Sequence, residues 1–172
     1  MNKFRQNLIV VLFILAFVLL LYYSYLKGYW PEESVTCPIS YDGSIIIRND
    51  SFGEGHFGAR RRGGRRHKGI DLWAPVGTPV MAYRRGKVIE TGNHPRGYGK
   101  YVEIAHKDGF VTIYAHLSEI SVEEGEFVRC GRIIGKSGRT GNALHRKIEP
   151  HLHFEIIKDG TPVDPVDYLQ KK

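Results

Sequence analysis

The sequence predicts a mainly β protein: a small antiparallel β-sandwich or partly open barrel behind one N-terminal transmembrane helix. Three observations point there. Residues 8–26 form an uncharged apolar run. From about residue 67 onward, short alternating apolar segments are broken by Gly, Pro and Asp, the pattern of strands and turns. Beyond the first segment no stretch sustains a helical period.

The run LIVVLFILAFVLLLYYSYL spans 19 residues. At 1.5 Å per residue it nearly matches a bilayer core of about 30 Å. Lys3 and Arg5 precede it and Lys27 follows. Tyr22, Tyr23, Tyr25, Tyr29 and Trp30 crowd its far end, as interfacial aromatics do. The basic N-terminus, residues 1–7, is expected to stay in the cytoplasm, and the chain after about residue 30 to lie outside it. A cleavable signal peptide has a shorter apolar core, about 7–15 residues, and a small-x-small site. This run is longer and ends in bulky aromatics, so an uncleaved anchor is expected. Residues 27–50 read as a linker, with an edge strand at Ile45-Ile46-Ile47, and 51–172 as the folded domain.

The chain carries 25 Lys and Arg against 18 Asp and Glu. Setting aside Lys3, Arg5 and Lys27 leaves 22 basic against 18 acidic residues beyond residue 30. That modest excess suits a polyanionic matrix such as a cell wall. Much of it lies in 51–66, SFGEGHFGARRRGGRR, a loop by its glycines and arginines. A patch of this kind also fits nucleic acid, but a domain held outside the cytoplasm does not meet it, so no nucleic-acid partner is expected. The two cysteines, Cys37 and Cys130, are permitted to pair by export, and spacing does not require it.

Strands are expected at 69–73, 79–84, 87–91, 101–106, 110–116, 126–129, 132–136 and 151–157, with a tight hairpin at Asp108-Gly109 and a turn at Lys158-Asp159-Gly160. Gly77-Thr78-Pro79-Val80 and Gly125-Glu126-Phe127-Val128 form similar units, which also occur in lipoyl- and biotin-carrier folds. A carrier needs a hairpin lysine within a recognisable tetrapeptide. Lys107 precedes Asp108-Gly109 without that context.

The chemistry concentrates at His151-Leu152-His153-Phe154-Glu155. In a strand, His151, His153 and Glu155 share one face and Leu152, Phe154 and Ile156 the other. Two imidazoles on a rigid element suit a metal ligand with a proton-transfer neighbour, yet cannot complete a site alone. His67 and Asp71, four residues apart before and within the first strand, supply a second imidazole and a carboxylate. Alone, that pair reads as a surface histidine near a structural aspartate. With His153 it makes the ligand class of catalytic zinc sites: three protein ligands and a fourth position for solvent. Tyr114-Ala115-His116-Leu117 ends another strand, with Thr112, Tyr114 and His116 expected on one face. His116 and His151 then supply a base and a cation for an oxyanion. A closed, structural zinc site would instead need one of these two as fourth ligand.

These segments resemble the lysostaphin-type (LytM-like) zinc endopeptidases that act on cell-wall peptides. The likeness rests on Phe57-Gly58-x-Arg60, His67-x-Gly69-Ile70-Asp71, Gly77-Thr78-Pro79-Val80, Gly97-Tyr98-Gly99-x-Tyr101-Val102, Tyr114-Ala115-His116-Leu117, Gly135-x-Ser137-Gly138-x-Thr140-Gly141 and His151-Leu152-His153-Phe154-Glu155, all in the family's order across about residues 52–168. The resemblance implies a zinc ion held by His67, Asp71 and His153, with His116 and His151 as catalytic histidines. It implies peptidoglycan peptide stems as substrate; the expected anchor places the metallopeptidase domain on the outer side of the cytoplasmic membrane. Many members of the family have lost ligands and activate other wall hydrolases, which adds envelope proteins as partners. Here all five positions are filled. Residues 142–150 depart from the pattern, with Pro150 where a glycine is usual and several charges before it.

Overall fold

The computed structural model describes residues 3–29 and 34–169. The chain divides into two units, Met1–Ser34 and Val35–Lys172. The first holds α1, Lys3–Tyr29, a helix of 27 residues. No proline interrupts it, and its leucine-rich run satisfies the backbone internally. The described side chains from Ile9 to Tyr23 are apolar and exposed. Among the described residues no helix is long and apolar enough to cross a membrane, so the anchor expected over 8–26 is not confirmed. Ile9 to Tyr23 falls short of the roughly 20 residues a span needs. The side chains of Leu8 and of residues 24–29 lie outside the described residues, as do Trp30 and Pro31 entirely.

The second unit is mainly β. Its strands are β1 Asn49–Asp50, β2 Gly53–Glu54, β3 Ile70–Trp73, β4 Pro79–Met81, β5 Gly86–His94, β6 Gly99–Ala105, β7 Phe110–Leu117, β8 Glu119–Ile120, β9 Phe127–Val128, β10 Ile133–Lys136, β11 His151–Lys158 and β12 Thr161–Val163, followed by a one-turn helix α2 at Val166–Leu169. The largest sheet runs β12-β11-β7-β6-β5-β9, with β3 also paired to β11; β4-β10-β8 form a second sheet and β1-β2 a small ribbon. All of these pairings are antiparallel. The alternation in the sequence explains the packing. Val80 and Ile134 from the smaller sheet share one core with Ile70, Leu72, Val102, Ile104, Tyr114, Leu152, Phe154 and Ile156 from the larger. Each such side chain contributes about 1.5–3 kcal/mol on burial.

The two Asp-Gly turns fall where expected. Asp108 and Gly109 have φ of 59° and 72°, Asp159 and Gly160 49° and 77°. Consecutive left-handed residues match the twist of the β6-β7 and β11-β12 hairpins. The stretch read as linker differs from 35 onward. Ile39 is 1% exposed, Thr36 N–H and Met81 N–H bond to Tyr83 O and Pro38 O, and Ile47 bridges Leu72 beside β3. Ile39 and Ile45 lose more apolar surface to water by packing than a free linker would.

β3 lies on β11 with Asp71 opposite His153 and Ile70 opposite Phe154. Just ahead, Gly69 sits so close to β11 that a Cβ there would lie 2.2 Å from Phe154 O and 2.8 Å from Glu155 Cγ. Gly69→Ala is therefore expected to part the two strands at a cost of about 1–3 kcal/mol and to weaken metal binding. Thermal unfolding with and without added zinc measures both effects.

Candidate metal centre and active site

The register of β3 against β11 brings the candidate ligands together. Asp71 Oδ1 lies 3.0 Å from His67 Nε2 and 2.8 Å from His153 Nδ1, and those two nitrogens are 3.0 Å apart. All three side chains are buried. The opposite ring nitrogens are committed elsewhere. His67 Nδ1 bonds His56 O at 2.8 Å, and His153 Nε2 bonds Glu155 Oε1 at 2.8 Å. A carbonyl and a carboxylate only accept, so each imidazole donates outward, and its inward nitrogen, which bonds Asp71 here, is the one that would turn a lone pair to a metal. Among the described residues, His67, Asp71 and His153 form the group whose ligand atoms could hold a metal ion. Two imidazole nitrogens and one carboxylate oxygen are the donor set of a catalytic zinc site. Ligands about 2.0–2.1 Å from a tetrahedral ion lie about 3.3 Å apart, so the observed spacing needs only a slight opening. The residues fit the ion.

The surroundings fix this set. Asp71 Oδ2 accepts from Arg48 Nη2 at 2.9 Å and from Arg61 Nη2 at 3.1 Å. Burial works against the Asp71 charge, but hydrogen bonds from His153 and His67 hold its carboxyl well below the usual carboxylate range. Burial opposes the charge of His153 too; its bonds to Asp71 and Glu155 prevail and raise it to about 9. Tyr98 Oη donates to Glu155 Oε1 at 2.8 Å, and the Tyr98 ring stacks on His153, centroids 5.8 Å apart. Burial also disfavours ionised Glu155, yet the bond from His153 lowers its pKa. Glu155→Ala frees the His153 ring, and metal affinity is expected to fall about 10–100-fold. Competition with a chromophoric chelator measures this.

His151 and His116 lie beside the cluster. His151 Nε2 is 3.9 Å from Asp71 Oδ1, and its Nδ1 donates to Glu149 O at 2.7 Å. His116 Nδ1 donates to Thr140 O at 2.9 Å. The two rings meet edge to face at 5.0 Å. Burial pushes His151 down to about 4 and His116 down to about 3. Both are neutral near pH 7, each with Nε2 unprotonated.

His116 corrects the alternation expected for its strand. Tyr114 stands opposite Phe154 and joins the core, whereas Ala115 stands opposite His153. A regular strand would send His116 to the core side with Tyr114 and Thr112. Instead the β6-β7 register shifts between Lys100↔Leu117 and Val102↔Tyr114, and His116 has φ of 64°. That conformation is strained for a residue with a Cβ, and the irregularity re-aims the ring. Its N–H bonds Tyr98 O at 2.8 Å. Gly99 and Gly141, with φ of 64° and 60°, pack against each other; a Cβ on Gly141 would lie 2.3 Å from Gly99 N. Together, residues 97–99 and 140–141 form the seat of His116.

Glu155 faces the histidines, as the strand reading expects. The arginine run divides: Arg61 turns in toward Asp71, while Arg60, Arg65, Arg66 and Lys68 are exposed. Arg48, Arg61, Tyr98 and the carbonyls of His56, Thr140 and Glu149 were not picked out from the sequence as parts of the site. Tyr98 and Thr140 stand within quoted motifs and Arg61 within the arginine-rich stretch; the others leave no local signal.

A small antiparallel β domain built around a buried His-Asp-His cluster, with two neutral histidines beside it, is the architecture of a metallopeptidase-type centre. Residues 65–165 match the model of Peptidase family M23, and the chain belongs to that family. It is 46% identical over 98 residues to the peptidoglycan DD-endopeptidase ShyA of Vibrio cholerae, covering 57% of this chain and 22% of that protein. It is 37% identical over 146 residues to the murein hydrolase activator NlpD of Salmonella dublin, covering 82% of this chain and 34% of that protein. The catalytic domain of lysostaphin from Staphylococcus simulans superposes with a TM-score of 0.60 at 34% identity, over 69% of this chain and 92% of that domain. The chain spans about half or less of the length of the curated relatives it matches.

Proposed function

We propose that the domain is a zinc-dependent endopeptidase that cuts peptide cross-links of peptidoglycan. One observation carries this reading: the three converging ligand atoms have two neutral, buried histidines beside them, each with one nitrogen tied to a carbonyl. His67 Nε2, Asp71 Oδ1 and His153 Nδ1 would hold the ion, and Arg48, Arg61, Glu155 and Tyr98 keep those atoms in place. Zinc, when bound, supplies the Lewis acidity that polarises a peptide carbonyl and activates water. The chain's own residues handle the proton. One of His151 and His116 accepts it at Nε2 as water attacks. The other can donate to the oxyanion from Nε2 only as an imidazolium, because its Nδ1–H is already given to a backbone carbonyl. The bonds to Glu149 O and Thr140 O hold both rings as the Nδ1–H tautomer, which leaves Nε2 of each open to take a proton.

The likeness to a murein hydrolase activator supports a second reading, a non-catalytic envelope protein that uses the same site to bind peptidoglycan or to activate another hydrolase. Purified cell wall separates the two. A peptidase solubilises it, loses activity on chelation and regains it with zinc. An activator binds zinc and releases nothing.

The N-terminal helix is proposed to anchor the chain in the cytoplasmic membrane with the domain outside. Its uncharged run and exposed apolar side chains support this. The protein then resists carbonate extraction from membranes; recovery in the soluble fraction counts against an anchor.

A further inference from the structure

Asp50 takes no part in the reaction proposed above, yet its carboxylate joins the two halves of the site. Oδ2 accepts from Arg48 Nη1 at 2.6 Å and from Glu149 N–H at 3.0 Å. Oδ1 accepts Phe52 N–H at 2.7 Å across the β1-β2 turn. Arg48 uses its other terminal nitrogen, Nη2, to hold Asp71 Oδ2 at 2.9 Å. Glu149 uses its carbonyl to accept His151 Nδ1–H at 2.7 Å. One half-buried carboxylate therefore touches both the guanidinium that supports Asp71 and the residue that orients His151.

We infer that Asp50 is a positioning residue that sets His151 against the metal cluster by fixing residues 145–150. The inference rests on the roles given to His151 and Asp71 under the proposed function. Four contacts hold this loop. Ala74 N–H bonds Pro150 O at 3.3 Å. Arg139 Nη2 bonds His145 O at 3.0 Å and Ile148 O at 2.6 Å. The Phe52 and His145 rings lie 4.8 Å apart. Asp50 holds the Glu149 N–H. Of the four, Asp50 alone acts on the residue whose carbonyl bonds His151. Hydrogen bonds to a carboxylate are short and strong, and a displacement of about 1 Å at reacting groups costs about 10²-fold in rate. Arg61 holds Asp71 independently, so the ligand set keeps a support when Asp50 is lost.

The test uses the full chain, zinc-loaded, with Asp50→Ala and Asp50→Asn. The asparagine variant keeps the side-chain volume but places an NH2 among donors, and serves if the alanine variant fails to fold. Both are expected to retain one zinc per chain. Proton–nitrogen NMR of the imidazoles is expected to show one His151 tautomer, protonated at Nδ1, in the wild type and mixed tautomers in the variants. The kcat is expected to fall about 10–100-fold with KM unchanged, and by less than twofold when the same change is made in His151→Ala. Zinc lost in step with activity, an equal loss in both backgrounds, or an unchanged His151 resonance would overturn the inference. A wild type that does not hydrolyse cell wall defeats the proposed function, and the NMR comparison then still decides whether Asp50 orients His151.

Discussion

Asp71→Ala is expected to remove metal binding and turnover together, and to destabilise the domain as well. Asp71 sits where two networks meet. One oxygen converges with His67 and His153, and the other is held by Arg48 and Arg61. Loss of the first oxygen leaves two imidazoles, too few to hold the ion against water. The fall in affinity therefore exceeds the roughly 10–100-fold typical of a lost outer partner. Loss of the second oxygen strands buried positive charge, because the Arg48 side chain is only 5% exposed. Breaking a buried pair from one side costs about 3–5 kcal/mol. Arg48 keeps Asp50 and Arg61 is partly exposed, which places this case near the lower end. Metal analysis of the purified variant and its unfolding midpoint check the two consequences. A variant that keeps one zinc would show that Asp71 is not a ligand.

His151→Ala and His116→Ala are expected to behave differently from Asp71→Ala. Neither residue belongs to the converging group, so metal content stays at the wild-type level. The proton acceptor or the oxyanion donor is lost, and kcat falls about 10²–10⁴-fold. The two losses do not add, because both histidines serve the same step. His116→Ala has a second effect. It removes a side chain from a position with φ of 64°, but alanine keeps a Cβ and so keeps the backbone strain. Folding stability then falls by about 0.5–1.5 kcal/mol, for the lost bond to Thr140 O, while turnover drops. Steady-state kinetics on purified cell wall, with zinc measured on the same samples, separates this from misfolding. Metal lost from either variant would make that histidine a fourth ligand and the site a closed, structural one.

Strand periods and turns were legible because they are local. Alternation over 110–116 and 151–157 and the two Asp-Gly pairs each carry their signal within a few residues. The clustering of His67, Asp71 and His153 followed from residue type and from the family's motifs, and the β3-β11 register supplies the spatial reason. Other features depend on tertiary contacts. β1, β2 and β8 are two residues each, too short for any period. The packing of 35–50 is decided by what Ile39 meets, not by its neighbours in sequence. His116 shows the limit most clearly, since strict alternation places it in the core and one shifted register turns it to the histidines. The supporting residues Arg48, Arg61 and Asp50 lie in sequence among ordinary charged residues. Only the fold shows that they close on Asp71 and on the loop before His151.

The most direct measurement is a crystal structure of the zinc-loaded chain with anomalous data at the zinc edge. One ion is expected, bound by His67 Nε2, Asp71 Oδ1 and His153 Nδ1 at about 2.0–2.2 Å, with His116 and His151 near it and unbound. An ion ligated by His116 or His151 as a fourth protein ligand, or one that avoids Asp71, would contradict this.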